Sequence, residues 1–268
     1  MPIRLIALLP LLLIGCAAGP QALPFELTTE IAYRPDPTPR QVGNLYQPAG
    51  AGPHPAVLVI HGGGWIRGEK EDMEKFARRF VEAGYLVYNV SYRLAPEYRW
   101  PAQVNDVRAA LQWLHANAEA LDIDPARIGA MGYSAGAHLA LMLGLQDATP
   151  KPQAVVAGAG PTDLAVYPES PYILKLIGGP PSQYPAAWAD ASPLTHVSPD
   201  DPPTMLYHGR LDRLVEVEQS ERLAAALADK GVDHELRTPA LAGHITAFLF
   251  DGGSFEQALD FFDRHLAP

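Results

Sequence analysis

Residues Met131 to Leu141 read MGYSAGAHLAL, with Ser134 midway between Gly132 and Gly136. The serine follows an apolar run and precedes an apolar helical pattern. A serine forced into a sharp strand-to-helix turn stands proud of its sheet, and neighbours without bulk are what such a turn tolerates. The helix that begins there directs free N–H groups and the positive end of its dipole at the serine oxygen. A hydroxyl so placed can attack an acyl carbon if a base takes its proton and donors hold the developing oxyanion.

The donors are expected in HGGGW, His61 to Trp65, directly after the run AVLVI. Three glycines free the backbone to aim N–H groups at one point in space. Each donor to a tetrahedral oxyanion is worth about 3 kcal/mol in the transition state. The expected set is the Gly63 and Gly64 amides with the Ala135 amide after the nucleophile. Trp65 either adds a donor or lines the acyl pocket.

In a strand–turn–helix site of this kind the acid and the base follow the serine in that order. TMLYH leads into GRLDRLV, which puts Asp212 in the loop at that strand's carboxyl end. HELRT leads through PALAGHITAF, which puts His244 in the next such loop, just before the last helix. His244 would take the Ser134 proton, and Asp212 would fix its tautomer and stabilise the imidazolium. Asp163 in GPTDL is the alternative acid, although an Asp before a helical turn is often a cap. His138 falls one helical turn past Ser134 and would point into the helix–sheet interface. His208 ends a strand ahead of Asp212, and His196, His234 and His265 have no convincing context. His115 is isolated, HExxH is absent and no G-x-G-x-x-G opens a dinucleotide fold, so neither metal nor cofactor is expected.

The elements that must position these residues alternate. FELTTEIAY and VGNLYQP read as an opening pair of strands. AVLVI (56–60), LVYNV (86–90), IGAMG (128–132), AVVAG (154–158) and TMLYH (204–208) are runs of the kind buried on both faces of a parallel sheet, with HELRT (234–238) weaker. Helical spacing links Met73, Phe76, Ala77, Phe80 and Val81. It recurs through Val104, Val107, Leu111 and Leu114, around Leu223 and Leu227 before Gly231, and at Phe255, Leu259, Phe262 and Leu266. The fold class is therefore α/β, a mostly parallel sheet with helices on both faces. Residues 159–200, rich in Pro, Tyr and Gly, break the alternation and read as an insertion over the sheet's carboxyl edge.

The 268 residues suffice for one large domain, here 25–268, and their net charge of −10 disfavours a nucleic-acid partner. The start of the chain is different. Arg4, the apolar LIALLPLLLIG and then Cys16 read as a signal segment over 1–15, too short to span a bilayer. Leu13-Ile14-Gly15-Cys16 resembles the bacterial lipoprotein processing box. Cys16 is the only cysteine, and it would carry acyl chains whose buried methylenes contribute about 0.8 kcal/mol each. Residues 16–24 would be a tether, and Ala17 favours the outer membrane of the cell envelope, facing the periplasm. The alternative is an ordinary secretory signal. With Cys16 acylated, membrane contact would be by the lipid anchor alone; with an ordinary signal the protein would be secreted.

HGGGW, YNVSYRLAPE, WPAQVNDVRAALQWL, GYSAGAHLA and HGRLDRLV followed by GH together resemble the α/β-hydrolase superfamily, in the BD-FAE-like and acetyl-esterase branch related to hormone-sensitive lipase. The resemblance covers nearly all of residues 25–268. It implies a serine carboxylesterase acting on short acyl esters, including acetyl or feruloyl groups on carbohydrate. It also implies that the Tyr-Arg-Leu-Ala-Pro stretch and Asp106 buttress the oxyanion loop. Tyr133 stands where hormone-sensitive lipases carry Asp, and the N-terminus is too short for their helical cap. That departure favours an open site with a small lid over 161–195. Tyr133, Trp65 and Trp188 are candidate walls of that site, or plain packing. An amide hydrolase resembling kynurenine formamidases and a non-catalytic envelope binding protein are the competing readings.

Overall fold

The apolar, β-branched runs pair into one sheet. In chain order the strands are β1 (Phe25–Ala32), β2 (Val42–Pro48), β3 (His54–Ile60) and β4 (Leu86–Val90), then β5 (Ile123–Tyr133), β6 (Val155–Gly158), β7 (Thr204–Tyr207) and β8 (His234–Arg237). The computed structural model describes residues 23–250 and 253–267. The apolar segment, Cys16 and most of the 16–24 tether lie outside the described residues.

The spatial order is β1-β2-β4-β3-β5-β6-β7-β8. β2 runs antiparallel to β1 and to β4, and every pair from β4 to β8 is parallel. β3 thus has β4 on one side and β5 on the other. The chain leaves β3 toward one edge and β5 toward the other, so the crevice above their carboxyl ends is the switch point where such sheets bind ligands. Ile60 is level with Gly132, which brings HGGGW and Ser134 into that crevice.

The helices are α1 (Glu74–Glu82), α2 (Ala102–Ala116), α3 (Ala135–Leu145) and α4 (Pro171–Ile177), then α5 (Pro185–Asp190), α6 (Glu218–Lys230), α7 (His244–Phe250) and α8 (Ser254–His265). Leu58 and Ile60 of β3 pack in one core cluster with α2, α3 and α6, while Val57 and Val59 pack in another with α1 and α8. This is the strand alternation that buries both faces. α3 is buried along its whole length, as a helix whose one polar residue, His138, has a partner on each ring nitrogen allows. No helix among the described residues is long and apolar enough to cross a membrane.

Two elements depart from the sequence reading. β5 begins at Ile123 rather than 128, because Ile123 pairs with His54 before an irregularity in register. Its residues 124–127 are partly or fully exposed and leave no apolar run to read. His244 does not lie in a loop; it opens α7, an additional helix in which Ala247 is the buried residue. With so little of its surface covered, this helix has almost no apolar period.

The insertion holds α4, α5 and turns of 3-10 helix at Leu164–Val166 and Pro193–His196. Leu164, Ile173, Leu176 and Trp188 join the cluster formed with α2 and α3, so the cover is packed into the same core as the sheet.

Asp106 fastens the segment that supports HGGGW. Fully buried in α2, it accepts the Arg93 backbone N–H at 3.0 Å, the Arg93 guanidinium at 2.8 Å through both oxygens, and the Gln41 amide at 2.8 Å. Two residues beyond Arg93, the Ala95 N–H donates to the Trp65 carbonyl at 2.9 Å. Tyr92, stacked on His61 with ring centres 4.2 Å apart, donates its hydroxyl to the His61 carbonyl at 3.1 Å. Removing one member of a buried charge pair strands the other, at a cost of about 3 kcal/mol or more. Asp106→Ala is therefore expected to lower the urea midpoint by that equivalent, with Asp106→Asn in between; equal midpoints for all three proteins would contradict the buttress.

Candidate active site

Ser134 holds φ 56° and ψ −119°, a conformation that costs a non-glycine residue about 1–3 kcal/mol. The neighbouring contacts impose it. A Cβ on Gly136 would lie 2.1 Å from the Ile60 carbonyl oxygen, and one on Gly132 would lie 2.2 Å from the Gly136 backbone. Any side chain at either position would push α3 off β3. The Ser134 N–H donates to the Gly158 carbonyl at 2.7 Å, which leaves its hydroxyl on the outer side of the turn.

That hydroxyl lies 3.0 Å from His244 Nε2, and His244 Nδ1 lies 2.6 Å from Asp212 Oδ2. An ionised carboxylate only accepts, so Nδ1 carries the proton and Nε2 is the acceptor for Ser134. Asp212 Oδ1 accepts the backbone N–H groups of Leu214 and Val215 at 2.9 and 3.0 Å. Burial works to raise the Asp212 carboxyl, but hydrogen bonds from His208, His244 and Val215 outweigh it and hold the group well below the usual carboxylate range. The Tyr133 hydroxyl donates to the His244 carbonyl, and its ring packs against His244 and Phe248.

His208 is the member that the sequence left without a role. Fully buried, its Nε2 lies 2.7 Å from the Val215 carbonyl and 3.3 Å from Asp212 Oδ2, while Nδ1 lies 2.8 Å from Ser220 Oγ. It therefore reaches the same Asp212 oxygen that His244 holds. The spacing of four residues to Asp212 was the available signal. Asp163, the alternative acid, caps Ala165 N–H at 3.1 Å and lies 3.6 Å from Arg222. It is a cap, away from the imidazole of His244.

Gly63, Gly64 and Trp65 all have positive φ, at 104°, 61° and 59°. For Gly63 the conformation is matched by crowding, since a Cβ would meet the Arg67 carbonyl oxygen at 2.2 Å. The Gly63, Gly64 and Ala135 amides find no acceptor among the described residues. All three residues line a cavity of about 570 Å³ together with Ser134 and His244. Tyr167, Tyr172 and Ile173 of the insertion form its cover, and Leu214 and Phe248 close the other side.

Trp65 and Tyr133 line the cavity too, although both are nearly buried. The Trp65 indole N–H donates to His138 Nδ1 at 3.2 Å, and His138 Nε2 lies 2.7 Å from the Ala191 carbonyl. One inward-facing imidazole thus joins the HGGGW loop to the far end of the insertion. Trp188 is not part of the wall: it is buried and donates to the Gly179 carbonyl at 3.0 Å, packing the insertion from inside. Among the described residues no cluster of His, Cys, Asp and Glu could hold a metal ion.

Burial pushes the His138 imidazole down to about 4 and that of His61 to about 3. Both are neutral in the folded chain across ordinary pH, while the unfolded chain protonates them near 6.5. Between pH 5 and 6.5 the unfolded state therefore binds more protons, and stability falls as pH falls. The slope is about 1.4 kcal/mol per pH unit for each histidine. Urea titrations across that window are expected to show this loss, shallower by one such increment in His138→Gln. An unchanged slope in the variant would mean that His138 takes up its proton in the folded state.

The BD-FAE family model matches residues 44–227. The probable carboxylic ester hydrolase LipM of Mycobacterium tuberculosis is 31% identical over 188 residues, 63% of this chain and 44% of that protein. This chain spans under half the length of LipM and of two further mycobacterial esterases it matches, at 44%, 49% and 46%. A truncated carbohydrate esterase from gut microbiota superposes with a TM-score of 0.81 at 26% identity, over 94% of this chain and 99% of that one. An acetyl ester-xyloside bifunctional hydrolase from Caldicellulosiruptor lactoaceticus does so at 0.70 and 26%, over 83% and 88%.

Proposed function

The chain belongs to the BD-FAE family within the α/β-hydrolase superfamily, and from that membership we propose that it is a carboxylic ester hydrolase working through Ser134, His244 and Asp212. The observation that carries the reading is the unbroken relay from Ser134 Oγ to His244 at 3.0 Å and on to Asp212 at 2.6 Å.

In this reading Ser134 Oγ attacks the ester carbonyl while His244 Nε2 takes its proton. The carbonyl oxygen becomes an oxyanion held by the amides of Gly63, Gly64 and Ala135, which have no acceptor within the described residues. Collapse breaks the bond to the alcohol, which leaves with the proton from the imidazolium, and an acyl-serine remains. Water then attacks the acyl carbon as His244 accepts its proton, a second oxyanion collapses, and the carboxylic acid departs with Ser134 restored. Asp212, held as the carboxylate by its donors, steadies the imidazolium in both halves.

The substrate proposed is a short acyl ester, such as an acetyl or feruloyl group on a carbohydrate. Two features support it: a cavity of about 570 Å³, and structural relatives described as a carbohydrate esterase and an acetyl ester-xyloside hydrolase. The cover comes down on the oxyanion loop, where the Tyr172 ring would lie 2.6 Å from a Cβ on Gly64, a tight fit that suits a small acyl part.

An ester panel from acetyl to decanoyl, with acetylated xylan, methyl ferulate and an aryl formamide, tests this. Hydrolysis is expected to be fastest with short acyl groups. Ser134→Ala and His244→Ala are each expected to lower kcat by about 10⁶ and Asp212→Asn by about 10⁴. Faster turnover of the formamide than of any ester would sink the esterase reading in favour of an amidase.

We also propose that Cys16, outside the described residues, is lipidated and tethers the domain to the envelope. Palmitate label is expected on the full chain and absent from Cys16→Ser; label that persists in the variant would rule out that attachment.

A further inference from the structure

We propose that the site selects esters bearing a carboxylate beside the scissile bond, held by Arg67 and Arg213. This rests on the esterase reading and adds to it the charge of the substrate.

Both arginines line the cavity that holds Ser134 and His244. Arg67 hangs from the oxyanion loop, its Cγ 3.2 Å from the place a Cβ on Gly63 would take. Arg213 directly follows Asp212. Both are exposed, so they stand at the rim of the cavity, one on the HGGGW loop and one on the loop that carries Asp212.

Several arginines find carboxylates, Arg78 with Glu74, Arg93 with Asp106, Arg127 with Asp124 and Arg264 with Glu235, while Arg40 and Arg108 bond carbonyl oxygens. Arg67 and Arg213 have no hydrogen bond or ion pair among the described residues. The two carboxylates that line the same cavity are engaged. Asp72 Oδ2 accepts the Glu69 N–H at 3.0 Å, and Glu216 accepts the Tyr167 hydroxyl. The cavity thus presents two guanidinium groups with no acid bonded to either, beside two carboxylates that are each turned to a donor of their own.

The setting sharpens the point. With a net charge of −10, the molecule as a whole repels anions, so uncommitted cations at its reactive crevice act over short range only. A guanidinium presents a planar fork that matches the two oxygens of a carboxylate, and it keeps its charge at any working pH. A neutral substrate leaves these donors to water. A substrate with a carboxylate on its acyl chain or on its alcohol exchanges that water for charge-assisted hydrogen bonds.

The test compares matched esters with the full chain. Para-acetoxybenzoate against para-acetoxybenzamide puts the charge on the alcohol. The mono-para-nitrophenyl ester of adipate against para-nitrophenyl hexanoate puts it on the acyl chain. In at least one pair the anion is expected to be favoured in kcat/KM by roughly tenfold at low salt, and the responding pair identifies the side. That ratio is expected to fall toward one in molar salt and in the double variant Arg67→Gln, Arg213→Gln, with unfolding midpoints checked for both proteins. Both pairs turned over at ratios near one, unmoved by salt or substitution, would overturn this inference and leave the esterase reading standing. Turnover of none of the four esters would overturn both.

Discussion

The approach of α3 to β3 sets the geometry of everything above the sheet. Gly136 rides against the Ile60 carbonyl so closely that a single methyl group would have 2.1 Å of room. This contact forces the turn at Ser134 into its strained conformation and brings the start of α3 beside the loop that leaves β3. Ser134 and the amides of Gly63, Gly64 and Ala135 then share one crevice because β3 and β5 are neighbours in the sheet. The strain at Ser134 is held by an α3 buried from end to end, whose packing far exceeds a cost of about 1–3 kcal/mol.

Charge is distributed with equal economy. Asp212 is the buried anion of the site, and four donors from the chain surround it: two backbone N–H groups, His244 and His208. Desolvation acts against that ion, and the donors win, as the direction of its shift records. The histidines nearest the oxyanion loop, His61 and His138, are instead kept neutral by burial. An imidazolium at either position would sit in a nearly water-free interior without an acid partner. The hydrogen-bond donors of the crevice therefore come from backbone amides and from arginines at its rim.

Buried strands were legible because their composition is uniform. The run 86–90 coincides with β4, and 56–60 makes up most of β3. Ser134, Asp212 and His244 could be chosen by chain order and by their places at strand ends, and the structure brings the three within hydrogen-bond reach. What stayed hidden depends on contacts between residues far apart in the chain. For His208 the spacing of four residues to Asp212 was too slight a signal to assign a role, because the ring's orientation depends on where Val215 and Ser220 fold back. Trp188 reads as wall or packing and is an internal strut, a choice set by which face of a six-residue helix meets the core. α7 was missed because a mostly exposed helix carries no apolar period, and Arg67 and Arg213 acquire meaning only from the carboxylates they do not meet.

The bridge through His138 bears on how interchangeable the cover is. In a domain of this design the segment above the crevice invites exchange, since it is inserted between two strands and shapes the space over the nucleophile. Here its far end is plugged into the body by one imidazole, with Trp65 on one nitrogen and the Ala191 carbonyl on the other. A transplanted cover without a carbonyl at that point would strand a buried N–H, a defect of about 1–3 kcal/mol, and would loosen the indole beside the glycines. Chimeras made on this scaffold need to carry socket and plug together, or replace the pair with apolar groups that fill the same volume.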